Sequence, residues 1–268
     1  MADGAAHELL FVTSEGEDLV RLRTRLADAI AEPRIDVTVI GDDLAHRSKK
    51  LLIADMESTI IEQEMLDELA DFIGARDRIA AITERAMRGE LDFETALTER
   101  VGMLAGLDER VLSEVSERMT LMPGAEVLVR TMRARGAYCA LVSGGFTVFT
   151  DLVARRAGFD EHQANVLEIQ DGKLTGRVRR PILGRSAKRE ALERIARERG
   201  VPLALSLAVG DGANDLDMIK AAGLGVAFRA KPKVCEVVAG LETGATIANG
   251  DLRSLLYLQG IADADFSG

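Results

Sequence analysis

The feature that most restricts the fold is a regular alternation of short apolar segments with amphipathic segments in the second half of the chain. Each apolar segment has the length of a strand, and each amphipathic segment carries apolar residues at helical spacing. Such an alternation is typical of an α/β protein with a doubly wound, Rossmann-like parallel sheet. The predicted helices are 125–135, 147–157, 186–199 and 214–221, and the predicted strands are 138–142, 165–169, 204–209 and 224–228.

One further strand precedes this region. The continuous apolar run Leu51–Ala54 suits a strand that is buried on both faces of a parallel sheet. Residues 62–119 then have a helical pattern without any strand signal. We therefore expect a core made of residues 50–61 and 120–268, with a helical cap, residues 62–119, inserted after the first strand. The apolar stripe of this cap begins with Met65, Leu66, Leu69 and Ile73.

Residues 1–45 form a separate small unit in this interpretation. Residues 8–13 and 35–40 have the composition of strands, and residues 18–31 between them have helical spacing. The charged stretch 46–50 connects this unit to the first strand of the core. The sequence thus predicts a small N-terminal βαβ-like extension.

Composition excludes several classes of partner. The chain has 34 basic and 44 acidic residues, a net charge of −10 and a pI near 5.0. An acidic protein repels a nucleic-acid backbone, so we expect no nucleic-acid partner. No apolar run approaches the ~18 residues that a membrane span requires. The first residues lack the basic and apolar regions of a secretory signal, which predicts a cytoplasmic location.

Three predicted strands end in polar residues that are suited to chemistry. Ligands of an open parallel sheet bind at the carboxyl ends of its strands. One strand ends on a carboxylate with a second carboxylate two residues later, and another ends on a hydroxyl followed by two glycines. A third ends on a segment with two aspartates and an asparagine. These residues are Asp55 and Glu57, then Ser143, Gly144 and Gly145, then Asp211, Asn214 and Asp215.

Each group alone has an ordinary structural explanation, as a solvated loop, a helix N-cap or a strand-to-helix turn. Their convergence at one sheet edge favours a functional site instead. Asp55, Glu57, Asp211 and Asp215 would concentrate negative charge that a cation must balance. Because all these ligand atoms are oxygens, the cation is a hard one, and Mg²⁺ is favoured over Ca²⁺ if a phosphate completes its shell.

From about residue 50 onward, the chain resembles the phosphoserine phosphatases, a family of the haloacid-dehalogenase superfamily. The superfamily motifs correspond to Asp55, to the segment 143–146, to Lys188 and to the Gly-Asp-Gly-x-Asn-Asp segment 210–215. The resemblance implies a haloacid-dehalogenase-type core, a helical cap and Mg²⁺-dependent phosphatase activity. The counterparts of residues typical of the subfamily are Glu64, Met87, Phe93 and Arg100.

By this resemblance, Asp55 attacks phosphorus and forms an aspartyl-phosphate. The residue at position 57 gives a proton to the leaving oxygen and later takes one from water. The family has aspartate here, whereas this chain has Glu57. The extra methylene moves the carboxyl group by roughly 1.5 Å, and a misplacement of about 1 Å can cost on the order of 10²-fold in rate. Either the surrounding loop compensates or the enzyme is slow.

The resemblance also assigns the remaining roles. Lys188, the Ser143 hydroxyl and the Gly144 N–H stabilise the transferring phosphoryl group. Asp55, Asp211 and the main-chain carbonyl of Glu57 hold Mg²⁺, while Asp215 orients the metal shell and Asn214 helps to hold the phosphate.

Two charged cap residues fit the rest of the substrate. An amino acid needs an anion for its ammonium group and a cation for its carboxylate, and Glu64 and Arg100 supply these charges. The counterparts of Met87 and Phe93 line a cap that closes over the substrate and excludes water.

The sequence therefore predicts hydrolysis of O-phospho-L-serine to L-serine and phosphate, the last step of serine biosynthesis. Two alternatives stay open. One is a phosphatase for another small amino-acid phosphate, such as phosphohomoserine. The other is a weakly active phosphoserine-binding protein, because Glu57 replaces the family aspartate. A homodimer also stays open.

Overall fold

The computed structural model describes residues 2, 4–13, 16–41, 44–87, 90–184 and 186–267. The strands are β1 (Leu51–Ala54), β2 (Tyr138–Phe146), β3 (Glu161–Asn165), β4 (Leu167–Gln170), β5 (Lys173–Val178), β6 (Ser206–Gly210), β7 (Leu224–Phe228) and β8 (Gly244–Ile247). Six of them form one parallel sheet in the order β3-β2-β1-β6-β7-β8, while β4 and β5 form a separate antiparallel hairpin.

The α-helices alternate with the strands of the core, and four successive helices after β1 lie within the predicted cap. The α-helices are α1 (Leu19–Ile30), α2 (Leu44–Arg47), α3 (Met65–Phe72), α4 (Arg76–Met87), α5 (Phe93–Gly102), α6 (Arg110–Ser116), α7 (Ala125–Ala134), α8 (Thr147–Ala157), α9 (Ala187–Arg199), α10 (Leu216–Ala221), α11 (Pro232–Ala239) and α12 (Ser254–Tyr257). The predicted helix 147–157 and strand 224–228 coincide with α8 and β7.

Helices cover both faces of the sheet, and β1 shows this most clearly. Successive side chains of a strand point to opposite faces. Leu51 and Ile53 pack in one cluster with residues of α9, α10 and α11, whereas Leu52 and Ala54 pack in the other with residues of α7 and α8. All four side chains are fully buried. The prediction of a doubly wound α/β core is therefore confirmed.

In the sequence, the helices α3 to α6 lie between β1 and α7. In the structure, they lie above the carboxyl edge of the sheet. The chain enters and leaves this segment side by side, since Ile61 pairs with Leu121 and the N–H of Glu62 donates to the carbonyl of Thr120 at 3.1 Å. Met65, Leu66 and Leu69 are buried, as their apolar stripe predicts.

A hairpin from the core also packs on this helical segment. The N–H of Gly106 donates to the carbonyl of Leu174 in β5 at 2.8 Å, and the N–H of Leu174 donates back to the carbonyl of Leu107 at 2.8 Å. The β4-β5 hairpin thus extends the cap beyond residues 62–119.

The predicted strand 165–169 overlaps β4, but its placement in the main sheet is wrong. The strand of the main sheet is β3, which ends at Asn165, and the following residues belong to β4 in the hairpin. The strand β3 lies at the edge of the sheet and begins with the polar residues Glu161, His162 and Gln163. Because it lacks an apolar run, periodicity does not reveal it.

The two strands predicted for the N-terminal extension are also wrong. The structure contains the predicted helix as α1, but the described residues of segments 8–13 and 35–40 are not in strands. Leu9 and Val12 are 84% and 98% exposed. A strand needs a neighbour to satisfy its main-chain groups, and these segments pair with none among the described residues.

Side-chain contacts attach this extension to the core instead. Arg23 of α1 is buried and donates to the carbonyls of Ala239 and Leu241, at 2.5 and 3.0 Å. The carboxylate of Asp36 accepts three successive main-chain N–H groups, from residues 248, 249 and 250, at 2.9–3.0 Å. No helix within the described ranges combines the length and apolar character that crossing a bilayer requires.

Candidate active site

The site lies where three neighbouring strands end. The strands β2, β1 and β6 are adjacent in the sheet, so the residues that follow them meet at one edge. Asp55 directly follows β1, and its N–H donates to the carbonyl of Val209 in β6 at 3.0 Å. Ser143 lies within β2, and Asp211 follows β6. The sequence prediction that these residues converge is confirmed.

Lys188 joins two buried aspartates at the centre of the site. Its Nζ lies 2.8 Å from Oδ1 of Asp55 and 2.5 Å from Oδ1 of Asp215. The other oxygen of Asp215 accepts the N–H of Gly212 at 2.9 Å. Oδ1 of Asp55 also accepts the N–H of Met56 at 2.7 Å. Among the described residues no donor contacts Oδ2 of Asp55, which leaves this oxygen available to attack an electrophile.

The pKa values of Asp55, Asp211 and Lys188 are strongly shifted. Burial raises the pKa of Asp55 to about 7, although Lys188 acts in the opposite direction. Burial, together with the charge of Asp215, raises the pKa of Asp211 to about 6. Burial alone would lower the pKa of Lys188, but Asp215 and Asp55 outweigh it and raise that pKa. The lysine is therefore a permanent cation, and its charge alone does not balance the carboxylates.

Glu57 connects the loop after β1 to the cap. Its Oε1 accepts the main-chain N–H of Met65, the first residue of α3, at 2.8 Å. On the other side it lies beside Gly145, where a Cβ atom would come within 3.0 Å of Oε2. Burial, followed by repulsion from Glu64, raises the pKa of Glu57 to about 8. At neutral pH this carboxyl group is largely protonated and is able to act as an acid.

The loop within β2 presents a hydroxyl and main-chain groups to the same space. Ser143 is buried, and its Oγ accepts the N–H of Gly145 at 2.9 Å. The cap residue Phe93 packs on Gly144, where a Cβ atom would lie 3.3 Å from Cζ of the ring. Phe93 also lines a small cavity together with Ser143, Gly144, Lys188 and Asn214. The cap is thus closed over the predicted phosphate site.

Glu64 and Arg100 both lie on the cap side, and neither has an ion-pair partner among the described residues. Glu64 is exposed and accepts a hydrogen bond from Oγ of Ser58 at 2.7 Å. Arg100 is half-buried and, among the described residues, donates only to the carbonyl of Ala96 at 3.2 Å and, weakly, to Oγ1 of Thr83 at 3.5 Å. Burial lowers the pKa of Arg100, while Glu57 and Glu64 are near enough to raise it. One anion and one cation are therefore free to receive a zwitterion.

The residues present fit a hard cation. Carboxylate oxygens of Asp55, Asp211 and Asp215 lie within 4.8 Å of one another, and we call these residues the acidic cluster. Oxygen donors of this type suit Mg²⁺. The cluster brings three carboxyl groups together, and Lys188 is the one cation that contacts them among the described residues. The side chain of Glu57 points to Met65 and is not part of the cluster.

Sequence reasoning missed two residues of the site. Asn165 is buried at the end of β3, where its Nδ2 donates to the carbonyl of Gly144 at 2.8 Å and its Oδ1 accepts the N–H of Leu183 at 2.8 Å. Ser58 has a left-handed backbone, with φ 54°, and holds Glu64. Because β3 has no apolar run, no sequence signal placed Asn165 at the carboxyl end of a strand. Met87 ends α4, and its side chain lies outside the description.

The haloacid dehalogenase-like hydrolase family matches residues 52–220, a range that contains Asp55, Lys188 and the acidic cluster. An aspartate at the end of the first core strand, a lysine on its carboxylate and a helical cap above them are consistent with this match. Fold and site together define a hydrolase of the haloacid dehalogenase class.

Comparison with individual proteins narrows this class. A phosphoserine phosphatase of Streptomyces coelicolor is 46% identical over 246 residues, which are 92% of this chain and 59% of that protein. Two solved structures are each 39% identical over 80% of this chain. One is a phospho-aspartyl intermediate analogue of phosphoserine phosphatase, with a TM-score of 0.71 and 100% of its chain covered. The other is a substrate-bound phosphoserine phosphatase complex, with a TM-score of 0.72 and 99% of its chain covered.

The chain therefore belongs to the phosphoserine phosphatase family. It spans about three fifths of the length of the Streptomyces relative.

Proposed function

We propose that this chain hydrolyses O-phospho-L-serine to L-serine and inorganic phosphate, through an aspartyl-phosphate on Asp55. The observation that carries the proposal is the arrangement around Asp55. Its Oδ1 is fixed by Lys188 at 2.8 Å, its Oδ2 has no donor among the described residues, and an unpaired Glu64 and Arg100 stand on the cap side. Relatives named phosphoserine phosphatase, and a phospho-aspartyl analogue among them, support the same chemistry.

In the first step, a carboxylate oxygen of Asp55 attacks phosphorus, and the bond from phosphorus to the serine oxygen breaks. Glu57 donates its proton to that oxygen, so neutral serine hydroxyl leaves. The raised pKa of Glu57, about 8, keeps this proton in place at neutral pH. Lys188, the Ser143 hydroxyl and the Gly144 N–H stabilise the negative charge of the phosphoryl oxygens.

In the second step, water attacks phosphorus and gives a proton to the carboxylate of Glu57. The bond from phosphorus to Asp55 breaks, which releases phosphate and restores both carboxyl groups to their starting states. The closed cap, with Phe93 on Gly144, limits the access of other water molecules.

The acidic cluster and the main-chain carbonyl of Glu57 would hold Mg²⁺, with Asp215 also orienting Lys188. When bound, Mg²⁺ supplies positive charge that offsets the charge of the phosphoryl group and of the carboxylates.

The charges of Glu64 and Arg100 determine which groups of the substrate bind on the cap side. Glu64 is suited to the ammonium group of serine, and the guanidinium of Arg100 to its carboxylate, with which arginine forms bidentate pairs. Asn214 and Lys188 line the cavity on the phosphate side. A cytoplasmic location and a place in serine biosynthesis belong to the same proposal, while the homodimer stays an open alternative.

The test is the initial rate of phosphate release from O-phospho-L-serine, phosphohomoserine, phosphothreonine and an aryl phosphate, with and without Mg²⁺. The proposal predicts Mg²⁺-dependent release with phosphoserine as the best substrate. A preference for phosphohomoserine would change the substrate but retain the mechanism. Absence of release, together with thermal stabilisation by phosphoserine, would support a binding protein instead.

A further inference from the structure

In this structure, the side chain of Glu57 connects the loop after β1 to the cap. Its Oε1 accepts the main-chain N–H of Met65 at 2.8 Å, and Met65 is the first residue of α3, the first helix of the cap. We call this hydrogen bond the Glu57 clasp. It links the loop that carries the nucleophile to the element that covers the substrate.

The donor of the clasp, the N–H of Met65, has no other acceptor among the described residues. The first N–H groups of a helix lack intrahelical acceptors and need one from outside. The N–H groups of Asp67 and Glu68 donate to the carbonyl of Glu64, at 3.0 and 3.1 Å. Within the described ranges, the N–H of Met65 donates to Glu57 alone.

The length of the side chain decides whether the clasp forms. An aspartate at this position would hold its carboxyl group about one carbon–carbon bond, roughly 1.5 Å, closer to its own backbone. Along the line to Met65 the present 2.8 Å would become about 4 Å, which is beyond hydrogen-bond distance. On its opposite side the carboxyl group lies against Gly145, where a Cβ atom would come within 3.0 Å of Oε2. Because Gly145 has no side chain, there is space beside it for the longer side chain of Glu57.

We propose that the main-chain N–H of Met65 is a positioning group for Glu57, so that the acid–base carboxyl group reaches its working position only when α3 is seated on the core. In this arrangement the extra methylene of Glu57 is used to couple proton transfer to closure of the cap. The kinetic part of this inference rests on the proposed function, whereas the contact itself does not.

A pair of variants at Met65 isolates the N–H group. Proline is tolerated at the first position of a helix, where it removes the N–H and little else. The preceding residue, Glu64, has an extended backbone, with φ −100° and ψ 106°, which is compatible with a following proline. Met65→Pro and Met65→Ala both lose the buried side chain, but only Met65→Pro loses the donor. We expect kcat for phosphoserine to be at least about tenfold lower in Met65→Pro than in Met65→Ala, since a displaced acid–base group costs on the order of 10²-fold.

Amide hydrogen exchange in the full chain tests the contact without any activity. Exchange at Met65 should be about tenfold or more faster in Glu57→Asp than in the wild type, because local protection depends on the hydrogen bond. Glu57→Gln keeps the length and the acceptor oxygen, and should change exchange at Met65 by less than about threefold. The N–H of Glu68 should exchange equally in all three proteins. Asp92→Ala, which removes the cap of α5, is the matched control and should leave Met65 unaffected.

Equal exchange at Met65 in the wild type and Glu57→Asp would overturn the proposal, whether or not the protein hydrolyses phosphoserine. Equal kcat in the two Met65 variants would overturn the positioning role. If Met65→Pro does not fold, the exchange measurements on the Glu57 variants test the proposal in its place. An inactive wild type with fast Met65 exchange in Glu57→Asp would refute the proposed function and leave the clasp in place.

Discussion

Replacing Lys188 with methionine is expected to destabilise the protein strongly in the absence of divalent cations. Lys188 is only 3% exposed, and its ammonium group lies 2.8 Å from Asp55 and 2.5 Å from Asp215. Removing one partner of a buried ion pair leaves uncompensated charge and costs about 3–5 kcal/mol. Since 1 kcal/mol shifts the midpoint of a protein of this size by about 2–4 °C, we expect Tm to fall by roughly 6–20 °C at about pH 8.

The pH dependence separates this effect from a packing defect. Burial already raises the pKa of Asp55 to about 7, and loss of the ammonium group raises it further. A carboxyl group whose pKa is higher in the folded than in the unfolded protein favours the fold at low pH, and this contribution is lost as the pH rises through the folded pKa. The difference in stability between the variant and the wild type should therefore shrink when the pH is lowered from about 8 to about 5.5.

Urea unfolding at both pH values, in buffer with a chelator, measures this difference. Lys188→Arg keeps the charge and should lose less stability than Lys188→Met. Adding Asp215→Asn to Lys188→Met removes one of the facing charges and should restore part of the loss. A Lys188→Met protein as stable as the wild type at about pH 8 would refute the electrostatic reasoning, and a loss that is independent of pH would assign the effect to packing.

Three further experiments test the role of Arg100 in substrate binding, the role of Asp55 in phosphate release and the burial of Cys139. Arg100→Ala should raise KM for phosphoserine about 10- to 100-fold, as expected for loss of a charged hydrogen bond, and should leave KM for an aryl phosphate within about threefold. Asp55→Asn should abolish phosphate release, although phosphoserine should still raise Tm. Burial raises the pKa of the Cys139 thiol, so in the native protein a thiol reagent should label the half-buried Cys235 first; equal labelling would contradict the burial of Cys139.

Apolar periodicity was sufficient to predict the central part of the fold. The run Leu51–Ala54 is continuously apolar because both of its faces are covered, and the alternation after Pro123 follows the helices and strands of the core. Apolar periodicity does not predict elements at the edge of the fold. The strand β3 is polar at its start, and residues 35–40 have strand-like alternation but are held by the carboxylate of Asp36 rather than by a neighbouring strand.

The candidate site was predictable where its residues follow strands, because the ends of parallel strands meet at one edge. Asp55, Asp211 and Asp215 were found in this way, and they lie together in the structure. The resemblance to a known family marked Lys188, but no local pattern shows that it bridges two aspartates. The contact between Glu57 and Met65 was not predictable either, since it depends on how the cap is seated on the core.

The most direct test of the proposed function is to look for phosphate on Asp55. The protein is mixed with O-phospho-L-serine and Mg²⁺, quenched in acid within one turnover, and digested for mass spectrometry. We expect the peptide containing Asp55 to carry one phosphoryl group while an equal amount of serine has been released. Release of serine without any phosphoryl group on Asp55, or with the group on another residue, would contradict it.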